Sequence, residues 1–103
     1  MRSTFDALVI GTGQAGPSLA ARLAGSGMSV AVVEKHLFGG TCVNNGCTPT
    51  KAMVASAYAA HVARRGADYG VLSTEPRVDM RRVKSRKDAI VASSHPPSAP
   101  RSR

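Results

Sequence analysis

The chain opens on a mostly apolar run at 5–10, in which Phe5, Ala7, Leu8, Val9 and Ile10 are interrupted only by Asp6 and closed by Gly11. A short run of this kind, ended by glycine, predicts a strand buried on both faces of a parallel sheet. The period then changes. Over 15–24, Leu19, Ala20 and Leu23 recur at helical spacing, and Gly25-Ser26-Gly27 supplies the stop. Val30, Ala31, Val32 and Val33 form a second strand-like run that ends at Glu34. The first 34 residues therefore predict strand, helix, strand.

A glycine-rich segment over 38–47 leads into a second helix, with Pro49 near its first turn and Met53, Val54, Ala57, Ala60 and His61 at helical spacing. Arg64, Arg65 and Gly66 suit its end. A loop with Tyr69, Gly70 and Pro76 follows, and then a third helical pattern in which Met80, Val83, Lys87, Ile90 and Val91 line one stripe. Lys87 interrupts that stripe, which predicts an amphipathic surface helix. From His95 the pattern ends: three prolines in nine residues and no apolar period predict a disordered Pro/Arg-rich tail over 95–103. No internal repeat is present.

With 103 residues the chain is one small domain at most, able to bury only roughly 60 to 65% of its unfolded surface. Two Phe, two Tyr and no Trp leave Ala and Gly to supply much of the bulk, so a thick core is not expected. The net charge of +8 is uneven: residues 1–76 carry six basic and four acidic side chains, residues 77–103 eight and two. Such a basic end admits a nucleic-acid-binding peptide over 77–87, but no aromatic side chains interleave the charges, and a solvated helix face explains them more simply. Neither a signal peptide nor a membrane-spanning run is visible, so the expected location is cytoplasmic. In that compartment two cysteines are more often catalytic, redox-sensing or metal-binding than a structural staple.

Two features carry chemistry. Gly11-Thr12-Gly13-Gln14-Ala15-Gly16 matches G-x-G-x-x-G between a predicted strand and a predicted helix. Gly11 allows the tight turn, Gly13 lets the backbone approach a pyrophosphate, Gly16 permits close packing of helix on strand, and the helix N-terminus directs free N–H groups at the anion. Glu34, about 20 residues on at the end of the second strand, is placed to accept from ribose hydroxyls. The second feature is the pair Cys42 and Cys47, separated by Val43-Asn44-Asn45-Gly46 just ahead of a helix. A disulfide there needs a bent backbone, which Gly46 permits. The helix start favours a thiolate at Cys47. Redox chemistry competes at this point with inert thiols, a structural disulfide, and half a zinc site completed by His36 or His61.

The run Gly39-Gly40-Thr41-Cys42-Val43-Asn44-Asn45-Gly46-Cys47-Thr48-Pro49-Thr50-Lys51 resembles the active-site signature of the class I pyridine nucleotide-disulfide oxidoreductases, which include dihydrolipoamide dehydrogenase, glutathione reductase and mercuric reductase. The resemblance covers residues 5 to about 94, and Pro49-Thr50-Lys51 looks closest to the mercuric reductase-like branch. It implies an α/β fold: a truncated Rossmann-like FAD-binding domain, β-α-β followed by two helices, with an incomplete parallel sheet over 1–94. It also implies a relay in which NAD(P)H reduces FAD, the flavin reduces the cysteine pair, and the dithiol reduces a disulfide or metal-ion substrate. By motif position, Cys42 would attack substrate and Cys47 would lie against the flavin as a charge-transfer thiolate. Lys51 would sit near the flavin ring, Gly40 and Thr41 would contact FAD, and Glu34 would hold the adenosine ribose; no resident metal is implied.

The family's acid/base histidine lies in a carboxy-terminal domain and acts across a homodimer, so His36, His61 and His95 are not expected to be catalytic. Family members run to several hundred residues. This length predicts that the isolated chain is an inactive fragment with at most weak nucleotide binding, an exposed sheet edge and a tendency to aggregate. The unrelated ending is the pattern a frameshift or premature stop would produce.

Overall fold

The computed structural model describes residues 3–95. Of the disordered tail expected over 95–103, residues 96–103 lie outside the described residues; His95 is described, half-buried and hydrogen-bonded to Asn44, so for it that expectation is corrected. Strand β1 (Ala7–Ile10), helix α1 (Gly16–Gly25) and strand β2 (Val30–Val33) form the predicted unit, and the strands pair in parallel with Ala7 opposite Val30 and Ile10 opposite Val33. Two side chains set that register. The Asp6 carboxylate accepts from the Ser29 N–H and from its hydroxyl, both at 2.8 Å, while the Asp6 N–H donates to the Ser29 carbonyl at 2.9 Å. The Ser29 donors hold the Asp6 carboxyl below the usual carboxylate range. Because Asp6 turns the chain at this clasp, Phe5 stays outside the strand and half exposed.

Helix α1 covers one face of the pair. Its start uses Pro17, whose missing N–H costs nothing in the first turn, and it seals Val9 and Ala20, each only 8% exposed. The other face has no cover: Leu8 and Ile10 are 59% and 82% exposed. The expectation of a strand buried on both faces is thus corrected for β1, because among the described residues α1 covers one face of this sheet and the other stays exposed.

Beyond β2 the glycine-rich segment winds a short helix α2 (Gly40–Asn44), which the sequence pattern did not predict, and Cys47 is already the first residue of α3 (Cys47–Arg64). A 3₁₀ turn at Gly66–Tyr69 is held by the Arg65–Asp68 ion pair at 3.0 Å, and α4 (Met80–Ser93) packs back along α3. Asp79 caps α4 by accepting from the Arg81 and Arg82 N–H groups. The half-buried stripe of α4 runs through Val83, Lys87, Ile90 and Val91, as the period predicted, but Met80, expected at its head, is 58% exposed.

On α3 the predicted stripe is only partly the contact face. Ala60 is half-buried and Met53 and Ala57 line the cavity toward α4, but Ala52 and Ser56 are also enclosed, whereas Val54, at 59%, and His61 are exposed. Small side chains win this face because they let α4 approach until the Arg86 guanidinium reaches the Ala52 carbonyl at 3.0 Å and the Ser56 hydroxyl at 3.3 Å.

Candidate functional site

The glycine loop joins β1 to α1, and its turn is made by Gly11 at φ +95°, a value an L-residue with a Cβ rarely adopts. Gly16 is required for a different reason: a Cβ there would stand 2.2 Å from the Gly11 carbonyl oxygen, so helix and loop touch backbone to backbone. A Cβ on Gly13 would meet nothing within 4 Å. Among the described residues no protein group accepts from the N–H groups of Gly13, Gln14, Ala15 or Gly16. Open space and free donors at a helix start are what a pyrophosphate requires.

Glu34 ends β2 beside this loop. Its Oε2 accepts from the Thr12 N–H at 2.9 Å and the Thr12 hydroxyl at 2.7 Å, and its Oε1 accepts from the His36 N–H at 3.1 Å. The Thr12 hydroxyl and N–H, followed by the His36 N–H, draw the Glu34 carboxyl down to about 2. Glu34 is therefore an anion with one well-held oxygen, while Oε1, with a single donor, retains capacity for a ligand hydroxyl. It lines a cavity of about 150 Å³ together with His36, Gly40 and Thr41.

Thr12 carries more of the site than its place between two glycines indicated. It is 5% exposed, and its hydroxyl also accepts from the Gly39 N–H at 3.1 Å, so one side chain ties the loop to the end of β2 and to the start of α2. Gly40, at φ +70°, rests directly on the loop: a Cβ there would lie 2.6 Å from the Gly13 Cα. The glycine loop and the cysteine segment are thus in backbone contact.

Cys42 on α2 and Cys47 at the head of α3 are joined as a disulfide, with Cα atoms 4.7 Å apart. The bond leaves neither sulfur as a thiolate, so the pair as it stands offers no zinc ligand. Gly46 eases the ring by lacking a side chain, since a Cβ there would fall 3.0 Å from the Thr41 carbonyl oxygen and 3.1 Å from the Cys42 Cα, a tight contact. Cys42 is half-buried and Cys47 exposed. Lys51 is exposed and lies four residues after Cys47, on the same face of α3. Asn44, inside the ring, donates through Nδ2 to the carbonyls of Phe38 at 3.0 Å and Gly40 at 2.9 Å, and its Oδ1 lies 2.7 Å from His95 Nε2. No local signal identified Thr12, Asn44 or His95, because their partners lie up to 51 residues away. His61 remains on the surface of α3, near Tyr58.

The basic helix α4 is partly committed within the fold. Lys84 pairs with Asp88 at 2.6 Å, Lys87 also pairs with Asp88, and Arg86 serves α3. The two lysines hold the Asp88 carboxyl below its usual range. No helix among the described residues is long and apolar enough to cross a membrane.

The family model described as pyridine nucleotide-disulphide oxidoreductase matches residues 5–95. The chain belongs to this family. Within it, the dihydrolipoyl dehydrogenase of Bacillus subtilis is 37% identical over 91 residues, which are 88% of this chain and 19% of that relative. The mercuric reductase of Streptomyces lividans is 40% identical over 88 residues, 84% of this chain and 19% of that one. A solved point mutant of the HOCl-induced flavoprotein disulfide reductase RclA of Escherichia coli, in its Cu(II) complex, superposes with a TM-score of 0.68 at 32% identity, over 89% of this chain and 18% of that protein. The family is one of FAD-dependent flavoproteins that use NAD(P)H, and this chain has the parallel strands and helices of part of its Rossmann-like FAD-binding domain. The chain spans about a fifth of the length of the curated relatives it matches. The similar identities to dihydrolipoyl dehydrogenase and mercuric reductase do not separate those two branches.

Proposed function

We propose that this chain is the FAD-phosphate and disulfide portion of an NAD(P)H-dependent oxidoreductase. In this reading a disulfide or metal-ion substrate is reduced by the Cys42–Cys47 dithiol, as in mercuric reductase-like members of the family. The observation that carries the reading is the contact of Gly40 with Gly13, which joins a disulfide at a helix start to a glycine loop with free N–H groups.

FAD fits the residues present. The N–H groups of 13–16 would hold its pyrophosphate, Gly11, Gly13 and Gly16 would shape that cradle, Glu34 would accept from the adenosine ribose, and Gly40 and Thr41 would border it. When bound, the flavin supplies two-electron reduction of the disulfide. The chain's own residues do the rest: Cys42, once free, would attack the substrate, and Cys47 would lie on the flavin side, where the start of α3 favours its thiolate. Lys51, one turn further on, adds positive charge on that side. A thiol pair that cycles in this way suits a reducing compartment, and the cytoplasm is the proposed location.

The bare second face of the sheet, with Ile10 82% exposed, favours a second reading for the chain alone: an inactive fragment that retains weak nucleotide binding. Flavin absorbance in the purified chain after incubation with FAD, followed by NAD(P)H-dependent reduction of a disulfide dye, separates the two. Bound flavin with turnover supports an enzyme in its own right, and weak flavin retention without turnover supports the fragment. Absence of any FAD binding together with a non-cycling cysteine pair would overturn both. The homodimer of the full-length family is proposed only for a chain that carries the interface domain.

A further inference from the structure

The disulfide ring has an internal brace that the family signature does not explain. Asn44 sits between the two cysteines, yet its side chain points away from the ring into three hydrogen bonds. Their chemistry fixes each group's role. The carbonyls of Phe38 and Gly40 can only accept, so the Asn44 amide nitrogen must face them, at 3.0 and 2.9 Å. The amide oxygen then faces His95 Nε2 at 2.7 Å, and since that oxygen can only accept, Nε2 must carry a proton.

The brace spans the segment that must hold still for the disulfide to form. Phe38 and Gly40 flank the Gly39 turn whose N–H is held by Thr12, and Cys42 is the second residue after Gly40. His95 follows Ser94, the C-cap of α4, which is anchored on α3 through Arg86, and α3 begins at Cys47. Asn44 thus ties the Cys42 side of the ring to the helix pair that carries the Cys47 side. A tether of this kind raises the effective concentration of one thiol at the other without touching either sulfur.

We propose that Asn44, held by His95, is a positioning residue that sets the dithiol–disulfide equilibrium of Cys42 and Cys47. This rests on the redox reading of the pair given above. The reaction that reports it is exchange with glutathione: two glutathione thiols reduce the Cys42–Cys47 bond, two electrons and two protons pass to the pair, and one glutathione disulfide leaves.

The test is an equilibrium titration of the full chain in glutathione redox buffers, quenched with a maleimide and read by mass. Asn44→Ala is expected to make the disulfide about tenfold easier to reduce, about 30 mV for this two-electron couple. His95→Ala is expected to move it in the same direction by about threefold, since it removes one of three bonds. His95→Gln, whose amide can donate to Asn44, is expected to restore part of the shift. Ser29→Ala loosens the Asp6 clasp far from the cysteines and is expected to leave the equilibrium within twofold even where it lowers stability, which separates positioning from general loosening of the fold. The proposal is overturned if the histidine variants and Asn44→Ala all stay within twofold of the parent, or if Ser29→Ala shifts the equilibrium as much as they do. Should Asn44→Ala fail to fold, the His95→Ala and His95→Gln pair decides alone. A parent chain whose cysteines show no reversible two-electron titration would instead sink the redox reading itself.

Discussion

Replacing single glycines by alanine should separate the glycines that hold the fold from the one that serves a ligand. At Gly16 an added Cβ would stand 2.2 Å from the Gly11 carbonyl oxygen, so loop and helix must part by roughly 1 Å to regain van der Waals distance. Overpacking of this kind costs about 1–3 kcal/mol. Gly40→Ala adds a backbone penalty, since its φ of +70° is left-handed and costs an L-residue about 1–2 kcal/mol, to a contact 2.6 Å from the Gly13 Cα. About 2–5 kcal/mol is the expected sum, a large part of the ~5 kcal/mol at the low end for a chain of this length. Gly13→Ala meets nothing within 4 Å and should leave stability within about 0.5 kcal/mol, but its methyl enters the space left for phosphate and should weaken FAD binding by about tenfold or more. Gly25→Ala, also in open space and at the end of α1, should be neutral or stabilising by about 0.5 kcal/mol. Urea unfolding followed by far-UV circular dichroism without nucleotide gives the stabilities, and equilibrium dialysis against FAD gives the affinities. The reasoning fails if Gly16→Ala is as stable as the parent, or if Gly13→Ala is destabilised as much as Gly16→Ala.

Glu34 has a folded carboxyl at about 2 against an ordinary value of 4.5, so the stability it contributes is fully present above pH 4.5 and is lost as the pH falls toward 2. Glu34→Gln should flatten the pH dependence of the urea midpoint across that window, and an unchanged slope would count against the Thr12 hydrogen bonds as its source. Asp79→Ala removes the cap of α4 and should cost about 1 kcal/mol, with a loss of helical signal; a variant with unchanged signal and midpoint would show that α3 packing alone sustains the helix. After reduction, Cys47 at the head of α3 should alkylate at a pH clearly below the roughly 8.5 of a free thiol and ahead of Cys42, as followed by peptide mass mapping with iodoacetamide. Equal, ordinary reactivity of both sulfurs would remove the helix start from the chemistry.

Much of this protein is local physics and was legible along the chain. The β-α-β unit follows from a change of apolar period punctuated by glycine, because strand and helix periods are properties of a few successive residues. The glycine loop, the Cys42/Cys47 spacing and the α4 stripe are local in the same sense, and so was the resemblance to the oxidoreductase family. Asp79 before α4 was also a local signal, an N-cap residue that the periodicity reading passed over. What only the tertiary structure decided joins residues far apart. Gly40 bears on Gly13, Thr12 binds Glu34 and Gly39, and His95 reaches Asn44 across 51 residues. Ala52 and Ser56 join part of the predicted α3 stripe as the contact for α4, and among the described residues one face of β1 stays bare. Each depends on which surfaces meet in space, and periodicity reports a residue's face without naming what will cover it.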